Sequence, residues 1–92
     1  MTNMPRKSSL RELRTIPGVG QKTAEKFWQM NIRSVRDLKG KSPERLYKKL
    51  SEKKRAPMDR CMLYVLRCAV YYASAERRKP ALLKWWNWKD RK

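Results

Sequence analysis

Leu13-Arg14-Thr15-Ile16-Pro17-Gly18-Val19-Gly20-Gln21-Lys22-Thr23-Ala24 is the stretch on which the reading of this chain turns. A helix running up to Thr15 meets Pro17, whose ring and missing N–H stop it. Gly18 and Gly20 follow, one residue apart. Glycine tolerates a sharp turn and lets another molecule come close to the backbone. From Gln21 onward the pattern is helical again. The stretch predicts a tight turn opening into a helix N-terminus, where unpaired N–H groups attract an anion.

On the N-terminal side, Ser9 and Glu12 have capping-box spacing, with Ser9 as N-cap. Leu10, Leu13 and Ile16 recur at helical spacing and predict a first helix of about two turns. On the C-terminal side a helix is expected over Gln21–Met30, with Ala24, Phe27 and Trp28 inward. Lys22 and Lys26 lie one turn apart on its outer face, placed for phosphate. Ser34 opens a short turn that buries Val35 and Leu38 and stops at Gly40. Ser42-Pro43-Glu44 starts another helix, with hydroxyl N-cap, proline and acid in order. Its apolar stripe is Leu46, Tyr47 and Leu50, and it ends in a basic cluster of Lys48, Lys49, Lys53, Lys54 and Arg55.

Pro57 is expected to start the longest and most buried helix, through Ala75, apolar nearly all round. Its stripe Arg60, Tyr64, Arg67, Tyr71 suits either a nucleic-acid face or a core rim of Arg stems and Tyr rings. Pro80 begins a terminal helix, from Ala81 to about Lys89. Trp85, Trp86 and Trp88 cannot all face one way on it. Two are expected to pin the segment to the core, leaving one partly exposed; a stacking platform for bases is the other reading. The expected fold is a compact all-α domain of five to six helices, compatible with a SAM-like arrangement. It would span residues 8–90, with residues 1–7 a flexible basic N-terminus.

Composition narrows the partner. With 92 residues there is room for one modest core. Twenty-five Lys and Arg against eight Asp and Glu give +17, which calls for a polyanion. There is no His, so a zinc site lacks ligands. Cys61 and Cys68, seven apart on one helix, stand about 10 Å apart along the axis, too far for a disulfide. No apolar run spans a membrane and no signal peptide is seen, so the cytoplasm is the expected location and no membrane partner is expected.

Ile16-Pro17-Gly18-Val19-Gly20-Gln21-Lys22-Thr23-Ala24 resembles the helix-hairpin-helix signature. That resemblance implies sequence-independent DNA binding, with backbone N–H groups of Gly18, Gly20 and Thr23 on consecutive phosphates. It also implies, from some members, a monovalent cation (K+ or Na+) at the carbonyls of Arg14, Ile16 and Val19; no other cofactor or metal is expected. Beyond the hairpin, Asp59-Arg60-Cys61, Tyr64 to Ala73 and Lys84-Trp85-Trp86-Asn87-Trp88 are similar to a small bacterial "pathogenicity locus" helix-hairpin-helix family. That likeness runs from Ser9 to about Asp90 and implies a compact helical domain without a settled activity.

Lys22 also matches the lysine nucleophile of helix-hairpin-helix DNA glycosylases. Gly40 stands where their partner aspartate is expected, and Asp37 does not match that position. A flipped base needs a second lobe, which 92 residues do not supply. The iron–sulfur cysteines of many such enzymes are absent, and the eight acids are dispersed, unlike a nuclease metal cluster. No catalytic residue is therefore assigned. The expected function is a DNA-binding module without sequence specificity, in repair, recombination or uptake. Its site comprises Gly18, Val19, Gly20, Gln21, Lys22, Thr23 and Lys26, flanked by a secondary basic surface of Lys53, Lys54, Arg55, Arg60 and Arg67. RNA stays open as a ligand, as does an adaptor role toward an acidic protein; oligomeric state is undetermined.

Overall fold

The computed structural model describes residues 6–54 and 58–89 and, for Lys54, the backbone alone. Among these residues there are four α-helices and no strand: α1 (Arg6–Leu13), α2 (Gln21–Gln29), α3 (Pro43–Lys54) and α4 (Arg60–Ser74). Single 3-10 turns occupy Val35–Leu38, Pro80–Leu83 and Trp85–Trp88. The five to six helices expected are thus four, because the terminal segment folds as two 3-10 turns. The reason is local. Trp88 Nε1 donates to the Leu82 carbonyl at 2.8 Å and Asn87 Nδ2 to the Ala81 carbonyl at 2.7 Å. In an α-helix those carbonyls would serve the N–H groups of residues 86 and 85; side-chain donors take them instead.

The longest helix, α4, is the centre of the packing. Leu63, Leu66, Cys68 and Ala69 on it are essentially inaccessible. Around it sit α3, the Val35–Leu38 turn and both terminal turns. The helices α1 and α2 pack on each other. Leu10, Leu13, Ile16, Ala24 and Phe27 join Leu66 and Ala69 in one core. The Cα radius of gyration, 12.8 Å, is close to the value of about 12 Å for a compact domain of this length.

Pro57, expected to open the long helix, lies outside the described residues. Asp59 is the N-cap of α4, its carboxylate accepting the Cys61 N–H at 2.8 Å. That backbone hydrogen bond holds the Asp59 carboxyl below its ordinary value. A carboxyl lowered on folding stabilises the protein above its unfolded pKa, and the contribution is lost as pH falls through the folded one. Asp59→Ala is expected to lower the melting temperature by about 5 °C at neutral pH. In thermal melts followed by circular dichroism the difference should close in strong acid; a difference constant with pH would refute the cap.

The first helix starts earlier than its capping signal. Ser9 lies inside α1, buried, with its hydroxyl unpartnered, and Arg6 and Lys7 are already helical. Glu12 acts elsewhere, its carboxylate accepting the N–H of Val35 at the start of the 3-10 turn. Ser34, expected to cap that turn, makes no side-chain capping bond. Glu12 replaces it from 23 residues away, and Asp37 accepts the N–H of Arg33 at 3.0 Å. By contrast Ser42 caps α3 as expected, its hydroxyl accepting from the Arg45 N–H at 3.3 Å.

The C-terminus of α2 closes on Asn31, at φ +64. Ile32 N–H returns to the Phe27 carbonyl at 2.9 Å and Asn31 N–H to that of Trp28 at 3.0 Å. This is a Schellman closure with asparagine in the left-handed position, sealed by buried Phe27 and Ile32. Across from it, Lys53 Nζ donates to the Gln29 carbonyl at 2.8 Å and ties α3 to the end of α2.

Candidate functional site

Two apolar anchors shape the α1–α2 turn. Ile16 and Val19 are buried, each next to or near a glycine that is exposed, so the core holds the side chains while the backbone of Gly18 and Gly20 faces water. Val19 N–H donates to the Ile16 carbonyl at 3.1 Å and Ala24 N–H to that of Gly20 at 2.9 Å. The N–H groups of Gly18, Gly20, Gln21, Lys22 and Thr23 have no acceptor among the described residues. Those of Gln21 to Thr23 belong to the first turn of α2, where the helix itself offers none.

The two glycines differ. Gly18 has φ +84, the left-handed region that side chains rarely adopt. A Cβ there would come 2.9 Å from Cδ1 of Trp85, whose indole lies over the turn. Gly20 is extended, φ −99 and ψ −168, and a Cβ added to it would meet nothing within 4 Å. Although both glycines suit a sharp turn, only Gly18 is required by the backbone, and a β-branched residue fits the extended conformation at 20.

Around the turn, Lys22 is exposed and Lys26 half-buried. The Gln21 side-chain amide donates to Glu25 at 3.1 Å, so that side chain is turned along the helix. Arg6 reaches the same carboxylate at 3.7 Å. Lys26 and Lys53 line one groove of about 180 Å³ between α2 and α3, with Gln29, Leu50 and Met58. One member of each predicted basic set thus meets in space. Further along, Lys49 and Lys53 flank the end of α2. Arg33, not singled out in the sequence, stacks on Trp28 with 3.9 Å from its guanidinium carbon to the ring centre. Its signal was the aromatic residue one turn back, across the helix end.

Other members of the secondary surface are placed differently. Arg67 is turned into the protein: Nε donates to Glu44 at 3.2 Å and Nη1 to the Trp88 carbonyl at 2.9 Å. Tyr71 stacks beside Trp88 at 5.5 Å and its hydroxyl accepts the Lys79 N–H at 2.8 Å. Arg60 is exposed, 6.0 Å from the Tyr47 ring. The stripe thus serves as rim at Arg67 and Tyr71. The side chain of Lys54 and all of Arg55 lie outside the described residues.

A cleft of about 580 Å³ lies between the N-terminus of α3, α4 and the terminal turns. Glu44, Arg67, Val70, Tyr71, Leu82 and Trp88 are among its walls, and no residue of the glycine turn is. Cys61 and Cys68 are free thiols. Asp59 pushes the exposed Cys61 thiol up and burial does the same to Cys68, so neither is activated as a nucleophile. No group of three His, Cys, Asp or Glu able to hold a metal occurs among the described residues. The Ile16 carbonyl, one of three expected around a monovalent cation, already accepts the Val19 N–H. No described helix is long and apolar enough to cross a membrane.

Residues 6–92 match the family described as pathogenicity locus, Cdd1. The chain belongs to that family. No curated protein and no solved structure matches it. The Cdd1 match takes in the glycine turn, the groove between α2 and α3 and the tryptophan turn together.

Proposed function

We propose that this Cdd1-family chain is a non-catalytic module that holds the DNA phosphate backbone at the α1–α2 turn, acting as a helix-hairpin-helix. The observation that carries the reading is a continuous path of donors and cations. It begins at the unpaired N–H groups of Gly20 to Thr23, follows Lys22 and Lys26 along α2, and reaches Lys53 across the groove. The net charge of +17 supports the same partner. Backbone amides read phosphate without reading sequence, so affinity for duplexes of different base composition should be equal.

Gly20→Val tests this cleanly. Valine fits the extended backbone there, and its methyl groups would stand in the open space over the amides. The fold should survive, with stability changed by less than about 1 kcal/mol. Hydrogen bonds to a charged group are worth about 1.5–3 kcal/mol, so losing one weakens duplex binding about 10- to 150-fold. A folded Gly20→Val protein that binds DNA as tightly as the parent would reduce the turn to a helix connector. An adaptor for an acidic protein is the competing reading, and it rests on the aromatic cleft beside Arg67. It would gain if the parent binds no DNA.

A further inference from the structure

Trp86 is 47% exposed, the one large apolar side chain left open among the described residues. Its ring meets that of Trp85 edge-on, centroids 5.8 Å apart and planes at 85°. Trp85 in turn lies over Gly18 of the glycine turn. The exposed indole is therefore one ring away from the turn. Its mount is stiff: Arg67 holds the Trp88 carbonyl, and Trp88 and Asn87 hold the carbonyls of Leu82 and Ala81. A half-open tryptophan on a rigid turn, in a chain of charge +17, suits a ligand that is both flat and anionic. Paired bases in a duplex hide their faces in the stack. An unpaired base offers one, and aromatic side chains stack on it whatever its identity.

We propose that Trp86 stacks on an unpaired base next to the phosphates held at the glycine turn, so that the preferred ligand is duplex DNA interrupted by a short single-stranded gap. This rests on the DNA-binding reading above and adds the structure of the DNA. The carrying observation is the Gly18–Trp85–Trp86 juxtaposition, independent of the free amides.

The test compares a blunt duplex with the same duplex containing a gap, by fluorescence anisotropy at one salt concentration. The parent should bind the gapped DNA about 5- to 150-fold more tightly, the range for one stacked base. Trp86→Ala should bind both alike, with its affinity for the blunt duplex unchanged, and Trp86→Phe should keep most of the preference. Melting temperatures establish that each variant is folded. Should Trp86→Ala melt early, tryptophan emission decides: gapped DNA should quench the parent more than Trp86→Phe. Equal binding of both DNAs by the parent, or a preference kept by Trp86→Ala, overturns the stacking proposal and leaves the phosphate reading standing. Binding of neither DNA overturns both.

Discussion

Gly18→Val is expected to destabilise the protein by about 3 kcal/mol, lowering the melting temperature by about 15 °C. Two costs combine. The residue sits at φ +84, where a β-branched side chain is strained, and its first carbon would meet Trp85 at 2.9 Å. Trp85 packs against the core, so it cannot retreat without giving up buried surface. Gly40 supplies the control. It has φ +74 and open space around a Cβ, so Gly40→Val carries the conformational cost alone. The Gly18 variant should melt below the Gly40 variant, and the gap measures the tryptophan contact. If both variants melt together, the indole does not press on the turn.

Raising the salt from about 50 to about 200 mM should weaken duplex binding about 500-fold. That figure follows from neutralising about five phosphates, which gives a log–log slope near −4.5 on duplex DNA. Lys22→Ala should keep the fold, since the side chain is exposed and has no partner among the described residues. Its slope should be shallower by about one unit. Lys53→Ala is less clean, because Lys53 also closes the end of α2 through the Gln29 carbonyl. A slope near zero would remove phosphate contact as the basis of binding. A tenfold difference between duplexes of equal length and different base composition would point to base readout instead.

The all-helical architecture was legible because it rests on local rules. Apolar spacing marked α2 and α4, Ser42-Pro43 marked the start of α3, and Pro17 with two glycines marked the turn. What escaped are choices made between distant residues. Ser9 and Glu12 have the spacing of a cap, yet Glu12 caps Val35 and Ser9 is buried inside α1. Nothing near Glu12 in the chain signals Val35. The terminal helix fails for a related reason: Pro80 suits a helix start, while the indole and amide donors of Trp88 and Asn87 capture the carbonyls a helix needs. At the candidate site, Gly18 and Gly20 look equivalent in sequence, and only the backbone separates the obligatory glycine from the permissive one. The side-by-side placement of Lys26 and Lys53 was likewise invisible, since it follows from how α2 and α3 pack.

The indole over Gly18 also sets an order of events during synthesis. The glycine turn is made before the ring packed beside Gly18, which belongs to residue 85. Chains grow at about 5–20 residues per second, so several seconds separate the two. A nascent chain halted before Trp85 has the amides of α2 but neither the indole beside Gly18 nor the open ring of Trp86. The earliest-made part of the candidate site is thus the last to reach its final form.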